Sequence, residues 1–343
     1  MKKLFFSLVA MMLAAVSFAQ STMVATLNHN GEVNAYFGAS AFKSAMANAV
    51  DGDAITLSSG RFDATDITKA VSIRGAGVTT SEDSLNAHGQ TFIYGTTHIS
   101  IADSTSESTL FVEGLYFNDP IEYGGTLKNA RFQKCRLPSL NYMNDLAEIV
   151  DISFLNCRIC KSLMINGNAI FINSIVCDPC GRTFEFINSH VKFLTNYYIN
   201  QIKNSFYTNC IIETFPVGEN YNIPVSSVAY NCLAIAYGNH YSIFENMPSN
   251  NTSNKSVYET EMEAIFRTYI GEYNRIDDSD FFELTDSAVA VYLGTDGTQV
   301  GIYGGSFPYN ENPNTLKITK LTVSPKTDVD NKLLINLGVK ATE

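Results

Sequence analysis

A short motif recurs along the middle of the chain at intervals close to twenty residues, and this repeat strongly limits the possible folds. In most copies an asparagine directly precedes a cysteine or a serine. The pairs are Asn118–Asp119, Lys134–Cys135, Asn156–Cys157, Asn173–Ser174, Asn188–Ser189, Asn209–Cys210 and Asn231–Cys232, at intervals of 16, 22, 17, 15, 21 and 22 residues. A constant motif between loops of uneven length is typical of a solenoid, in which each coil packs on its neighbours.

Each repeat unit has the pattern of a strand, a tight corner and a second strand. Asparagine is the residue other than glycine that most readily adopts the left-handed backbone of such a corner. After the corner, inward positions alternate with outward positions. The inward positions carry small or apolar side chains, as in Cys157 and Ile159 or Cys210 and Ile212. We therefore expect an inward-facing cysteine or serine after every corner. We also expect the stacked asparagines to hydrogen-bond from coil to coil.

Two segments resemble a known fold family. The stretch "SAFKSAMANAVDGDAITLSSGRF", followed by "ITKAVSIRGAG", is similar to the entry of pectin-lyase-like right-handed parallel β-helices, in which a helix caps the first coil. The stretch "DSDFFELTDSAVAVYLGTDGTQVGIYGG" is similar to the last coils of secreted β-helix proteins common in Bacteroidetes, although "SAVAVYLG" replaces their usual "SPAIGAG"-like segment. The resemblance covers roughly residues 30–307. Together with the repeated asparagine corner, it leads us to predict an all-β fold, a right-handed parallel β-helix of roughly ten to twelve coils with an N-terminal capping helix and a short C-terminal β-hairpin. It does not specify an activity, because this fold hosts lyases, hydrolases, adhesins and scaffolds.

The N-terminus has the composition of an export signal. Lys2 and Lys3 precede an apolar run over residues 4–16, and small residues follow before residue 20. We assign residues 1–19 to a signal peptide and expect a periplasmic, cell-surface or extracellular protein. No later stretch has the roughly eighteen continuous apolar residues of a transmembrane helix. We therefore expect no transmembrane segment in the mature chain.

The charge balance disfavours polyanionic partners. The chain carries 23 Lys and Arg against 34 Asp and Glu, and removal of Lys2 and Lys3 leaves 21 against 34, a formal charge of −13. Such a charge repels nucleic-acid phosphates, so we expect no nucleic-acid partner. The chain has no tryptophan but has 18 tyrosines and 22 phenylalanines, so any aromatic platform for a sugar must use these two residue types.

The remaining chain divides into one solenoid and a short terminal element. The β-helix domain is expected over residues 20–310 and a β-hairpin that caps the open sheet edge over residues 311–343. A helical insertion is expected at about 256–270, where Ser256 and Glu259 form a capping-box pattern. This helix would pack on the outside of the solenoid or act as a lid over a cleft.

The cysteine spacing allows two interpretations. Cys157-x-x-Cys160 and Cys177-x-x-Cys180 have the spacing of a four-cysteine zinc site. The local repeat of 17 residues instead places Cys160 beside Cys177 on the next coil and leaves Cys157 in the core. Because export favours oxidation, a Cys160–Cys177 disulfide or stacked thiols is preferred and no metal site is expected.

Basic residues at outward positions form the candidate ligand-binding set. Its members are Arg136, Arg158, His190 and Lys192. Arg136 and Arg158 occupy equivalent positions on neighbouring coils, an arrangement suited to a carboxylate or sulfate. In the alternative interpretation, nearby acidic residues neutralise the two arginines.

Two functional hypotheses follow, and no catalytic residue is identified for either. The first is a non-catalytic exported protein, monomeric, that binds a polysaccharide or a cell-surface partner. The second is a polysaccharide lyase or glycoside hydrolase acting on an acidic glycan. The cluster Asp277, Asp278 and Asp280 is interpreted as an acidic turn, with calcium binding as the alternative if the protein is a lyase. No other cofactor is expected, and whether the protein is an enzyme stays open.

Overall fold

The computed structural model describes residues 23–80, 89–101, 109–144, 146–194, 204–214, 226–236, 244, 253–258, 261–268, 281–312, 316–327 and 333–341. The predicted signal peptide and the Asp277, Asp278 and Asp280 cluster lie outside these residues. No helix among the described residues is long and apolar enough to cross a membrane.

Strands dominate the described chain. The strands are β1 Val24–His29, β2 Glu32–Phe37, β3 Ala54–Leu57, β4 Gly60–Asp63, β5 Ser72–Arg74, β6 Thr91–Tyr94, β7 Thr97–Ile99, β8 Phe111–Glu113, β9 Tyr116–Phe117, β10 Ile121–Tyr123, β11 Thr126–Lys128, β12 Arg131–Gln133, β13 Arg136–Tyr142, β14 Glu148–Leu155, β15 Arg158–Ile172, β16 Ile175–Cys177, β17 Pro179–Ile187, β18 His190–Phe193, β19 Phe206–Thr208, β20 Ile211–Thr214, β21 Val228–Tyr230, β22 Leu233–Ala236, β23 Lys255–Tyr258, β24 Phe266–Thr268, β25 Phe281–Leu284, β26 Leu316–Thr327 and β27 Leu333–Ala341. The helices are α1 Ala41–Asn48, α2 Met262–Ile265 and α3 Asp286–Val291.

The strands stack in parallel from coil to coil, which confirms the predicted β-solenoid; it has about seven turns, fewer than expected. We call the sheet formed by the strands that precede the asparagine corners the pre-corner sheet, and the sheet formed by the strands that follow them the post-corner sheet. The pre-corner sheet contains β3, β5, β8, β12, β14, the end of β15, β17, β19 and β21. The post-corner sheet contains β4, β6, β9, β13, the start of β15, β16, β18, β20, β22 and β23. A third run of parallel pairs joins β7, β10 and the far parts of β13, β15 and β17.

The corners between the first two sheets have the predicted backbone. Asn156, Asn173, Asn188, Asn209 and Asn231 all have positive φ, between 46° and 56°. Lys134 occupies the equivalent position with φ 51°, which is less favourable for a residue without a short amide side chain. The asparagines therefore recur because the corner requires a left-handed residue.

Inward side chains form a continuous core along the solenoid axis. Phe154, Phe171, Phe186 and Tyr207 stack on one another from coil to coil, with ring centroids 4.9 to 5.0 Å apart. The corner cysteines at 135, 157, 210 and 232 are buried beside this stack, as predicted. The spacing is close to the distance of about 4.8 Å between neighbouring strands, so each coil contributes one ring.

The first coil is closed by α1 and by a β-hairpin. Phe42, Ala45 and Met46 of α1 are buried against the core, which confirms the predicted capping helix. The β1 strand pairs antiparallel with β3 on one side and antiparallel with β2 on the other. The last strand added to this end of the solenoid is therefore β2.

The predicted helix at about 256–270 is wrong in extent. Residues 255–258 form β23, which continues the solenoid by pairing in register with β22. Among the described residues of this stretch, the α-helix is limited to the four residues of α2, and β24 follows directly. Ser256 aligns with Ala234 and Val257 with Ile235, so pairing with the preceding coil overrides the helical spacing of the apolar residues.

The end of the described chain contains the expected hairpin strands. β26 pairs antiparallel with β27. That this hairpin caps the sheet edge, and the domain boundaries at residues 20–310 and 311–343, stay predictions.

Candidate functional site

The outer face of the post-corner sheet is covered by residues 281–312, which we call the strap. The strap contains β25, α3 and an irregular segment, and it encloses a second apolar core outside the solenoid. The buried members of this core are Ile175, Cys177, Ile211, Leu233, Ile235, Val257, Met262, Ile265, Phe266, Phe282, Leu284, Ala288, Val300 and Ile302. Sheet residues that face away from the solenoid axis are therefore buried here.

The asparagine corners anchor the strap. Asn173 Nδ2 donates to the carbonyl oxygens of Ile302 at 2.8 Å and Gly304 at 2.7 Å. The Oδ1 atom of Asn209 accepts from Thr295 N at 2.8 Å, and its Nδ2 lies 3.2 Å from Thr295 Oγ1. The expectation that the stacked asparagine side chains bond from coil to coil is therefore wrong for these two corners. Their side chains bind a distant segment instead.

Glycines allow the strap to approach the corners closely. Gly305 has φ +76°, and a Cβ atom at this position would collide with Asn188 Nδ2. A Cβ at Gly294 would lie 2.7 Å from Asn209 Cγ. These contacts give the C-terminal motif "GTDGTQVGIYGG" a structural role in docking against the corners.

Arg136 and Arg158 are buried beneath the strap and bind a carboxylate of the protein itself. Arg136 donates from Nε to Glu311 Oε1 at 2.8 Å and from Nη2 to Oε2 at 2.6 Å. Arg158 Nε lies 3.6 Å from Oε1, and the Tyr309 hydroxyl donates to the same oxygen at 2.5 Å. The two arginines are 7% and 5% exposed. The expectation of an open ligand-binding face at these residues is wrong, and the alternative of neutralisation by an acidic residue is confirmed.

The electrostatics of this cluster favour a charged Glu311. Burial alone raises the pKa of the Glu311 carboxyl, but the hydrogen bond from Arg136 and the charges of both arginines outweigh it and lower the pKa below its usual value. The carboxylate thus acts as the internal counterion of two buried guanidinium groups.

His190 and Lys192 form a second buried charged cluster around Glu213. His190 Nε2 lies 2.7 Å from Glu213 Oε1, and Lys192 Nζ lies 3.7 Å from Oε2. None of these three residues is more than 1% exposed, and the His190 ring packs 4.0 Å from the Phe282 ring of the strap. Both residues face away from the solenoid axis, as predicted, but the strap separates them from any external ligand.

None of the seven cysteines forms a disulfide in the structure, so the disulfide candidate Cys160–Cys177 is not bonded. Ile159 pairs with Val176, which places Cys160 and Cys177 on neighbouring coils as predicted. Burial raises the pKa of the Cys177 thiol well above its usual value. Among the described residues, no group of His, Cys, Asp and Glu side chains could hold a metal ion.

Thiol accessibility provides a test of this arrangement. In the native protein we expect alkylation at Cys160 and Cys180, which are partly exposed, and protection of the other five cysteines. In denaturant without reductant all seven should react, as measured by intact mass. Two fewer modified thiols in denaturant would show a disulfide and contradict the free-thiol state.

The outer face of the pre-corner sheet exposes two aromatic side chains on consecutive coils. Phe206 is 46% exposed and Tyr230 is 44% exposed. Phe206 aligns with Val228 and Thr208 aligns with Tyr230. The two aromatic residues are therefore diagonal neighbours, with Cα atoms roughly 8 Å apart. Neither ring contacts another aromatic ring among the described residues. We call Phe206 and Tyr230 the aromatic pair.

A second group of aromatic residues, half-buried on the first coils, differs from the aromatic pair because its rings contact one another. Phe92 packs against Tyr116 with centroids 5.0 Å apart and against Tyr94 at 6.1 Å. The Arg61 guanidinium lies 3.3 Å from the centre of the Tyr94 ring. These ring faces are occupied by neighbours within the protein, so this group stabilises the first coils.

The aromatic pair was missed by the sequence analysis, although the repeat contains a signal for it. Phe206 lies three residues before Asn209, and Tyr230 lies one residue before Asn231. The position two residues before the corner asparagine, Tyr207 or Ala229, points into the core. Strand alternation therefore makes the positions three residues and one residue before the asparagine face outward.

Comparisons with known proteins return no relative. No family model matches the chain, and neither the curated proteins nor the solved structures searched contain a match. The parallel β-solenoid is therefore established from the structure alone, and the activity has to be argued from the exposed surfaces of this chain.

Proposed function

We propose that this protein is an exported, non-catalytic β-solenoid that binds a neutral polysaccharide on the outer face of its pre-corner sheet. The observation that carries the proposal is the aromatic pair, in which two outward rings lie on neighbouring coils with no aromatic partner in the described chain. Export rests on the predicted signal peptide.

The chemistry of this face suits a sugar chain. The flat C–H faces of pyranose rings pack on aromatic rings, and an aromatic side chain offers a large rigid contact at low cost in conformational entropy. The exposed carboxylate of Glu185 is aligned with Phe206 on the preceding coil and can accept hydrogen bonds from sugar hydroxyls. A solenoid sheet is flat and repetitive, so an extended polymer can lie along it.

The charge distribution favours a neutral glycan over an acidic one. The formal charge of −13 after leader removal and the carboxylate of Glu185 both repel uronates and sulfates. The acidic-glycan hypothesis relied on Arg136 and Arg158, and both guanidinium groups bind Glu311 under the strap. We therefore place the neutral-glycan function ahead of the lyase or hydrolase function.

Replacing both Phe206 and Tyr230 with alanine should weaken binding about a hundredfold without unfolding the protein. Loss of about 1.4 kcal/mol per ring weakens affinity about tenfold per ring. Binding would be measured by affinity electrophoresis and calorimetry against neutral and uronate-rich polysaccharides, with and without calcium. Phe307→Ala is the control, because Phe307 is 64% exposed on the strap and lies outside the aromatic pair.

Two results would contradict the proposal. Equal binding by the double variant and the parent protein would move the site to another face. New reducing ends or unsaturated products in the same incubations would show an enzyme.

A further inference from the structure

The outermost strand of the first coil, β2, has an open edge. The turn between β1 and β2 consists of Asn30 and Gly31, both with positive φ, and His29 aligns with Glu32 across it. In this two-residue hairpin, every second residue of β2 directs its N–H and C=O toward β1. The hydrogen bond from Gly38 N to Met23 O at 3.0 Å continues that alternation.

The remaining β2 residues direct their backbone groups away from β1. These residues are Val33, Ala35 and Phe37, and no other strand pairs with them among the described residues. Their side chains share the face that points away from the core, where Val33 is 60% and Phe37 is 73% exposed. The strand contains none of the lysines or prolines that commonly protect a free edge.

We propose that β2 pairs antiparallel with β2 of a second copy of this chain, forming an end-to-end dimer. The dimer goes beyond the proposed glycan binding and replaces the monomer expected from the sequence. It is an isologous contact with a two-fold axis through Ala35, since the same strand supplies both halves.

Only one register satisfies all the outward backbone groups of the strand. When Ala35 lies opposite its copy, Val33 lies opposite Phe37 of the partner subunit and Phe37 opposite Val33 of the partner subunit. Each of these three residue pairs exchanges two hydrogen bonds. Shifting the register by two residues leaves an outward residue at each end of the strand without a partner.

The side chains are self-complementary in this register. Two valine–phenylalanine pairs flank a central alanine pair on the outer face, and aromatic–β-branched pairs stabilise neighbouring strands. The only charged side chain of β2, Glu32, lies opposite Gly38 of the partner subunit, so no like charges meet. The two solenoids would then share a continuous sheet.

Sedimentation velocity over several decades of protein concentration tests the dimer. We expect a reversible dimer for the parent protein and monomers for Val33→Lys and Ala35→Pro, because these introduce a charge at the apolar pair and remove an outward N–H group. Leu146→Lys is the matched control, since Leu146 is 89% exposed away from β2 and should leave the dimer intact. If Ala35→Pro does not fold, the sedimentation of Val33→Lys alone tests whether β2 forms the dimer contact.

Cysteine cross-linking tests the register. Opposed residues of a hydrogen-bonded antiparallel pair have Cα atoms about 5.5 Å apart, within the range of a disulfide. Mild oxidation should therefore link Ala35→Cys chains into covalent dimers, whereas Asn34→Cys, opposite Tyr36 of the partner subunit, should behave like the parent protein. A parent that is monomeric at every concentration, a dimer unaffected by Val33→Lys, or equal cross-linking at both positions would overturn the proposal.

Discussion

Replacing Glu311 with alanine should detach the end of the strap and destabilise the protein by about 3–5 kcal/mol, the usual cost of removing one partner from a buried ion pair. Arg136 and Arg158 would lose the carboxylate that both contact, and a docked strap would then cover two buried guanidinium groups without a counterion. We expect faster proteolysis within residues 281–312 and a lower urea midpoint by far-UV circular dichroism.

Two variants define the cause of this effect. Glu283→Ala removes a carboxylate from the same strap, but Glu283 and its partner Arg267 are 53% and 46% exposed, so the cost should be about 0–1 kcal/mol. Glu311→Gln keeps the shape of the side chain and removes its charge. Its free energy of unfolding should be close to that of the alanine variant. Equal stability of Glu311→Ala and the parent protein would show that the strap is held by its apolar contacts alone.

The ion pairs of Glu311 with Arg136 and Arg158 make the strap sensitive to acid. The pKa of Glu311 is lower in the folded protein than its ordinary value of 4.5, so its stabilising contribution is complete above about pH 4.5. As the pH falls toward the folded-state pKa, the unfolded chain takes up the proton first and the contribution is lost. Urea midpoints measured over this range should fall less steeply for Glu311→Gln than for the parent protein.

Replacing Phe171 with alanine should destabilise the solenoid by about 3–5 kcal/mol, because it leaves a cavity in the middle of the aromatic stack. Phe171 is fully buried, and its ring packs 4.9 Å from both Phe154 and Phe186. Urea unfolding would measure the loss. Phe206→Ala is the matched control on the outward side of the same sheet and should change stability by less than about 0.5 kcal/mol. Similar losses in the two variants would refute the assignment of inward and outward faces.

Local pattern was sufficient to predict the coil. The corner conformation of Asn156 and the inward orientation of Cys157 and Ile159 depend only on neighbouring residues and on the alternation of a strand. Such features recur in every unit and are therefore visible in the sequence. The prediction failed at residues 256–270, because pairing with the preceding coil is a contact over about twenty residues that helical spacing does not reveal.

The surroundings of the outward residues could not be predicted in the same way. Alternation shows that Arg136 points away from the solenoid axis, but its partner Glu311 lies 175 residues further along the chain. No periodicity links the two positions, and a second apolar layer outside a solenoid leaves little mark on the strands that it covers. The glycines of the C-terminal motif are visible in the sequence, but their contacts with the corners exist only in the folded chain.

The anchoring of the strap at successive corners has an evolutionary consequence. Solenoids commonly gain or lose whole repeats, since each repeat contacts only its neighbours. Here the strap binds Asn209 through Thr295 and Asn173 through Ile302 and Gly304, with the Asn188 corner between them. A duplicated coil between Asn173 and Asn209 would separate these anchors by another strand spacing of about 4.8 Å, and the strap would reach only one of them. Changes in coil number are therefore expected outside this interval, or together with a matching change in strap length.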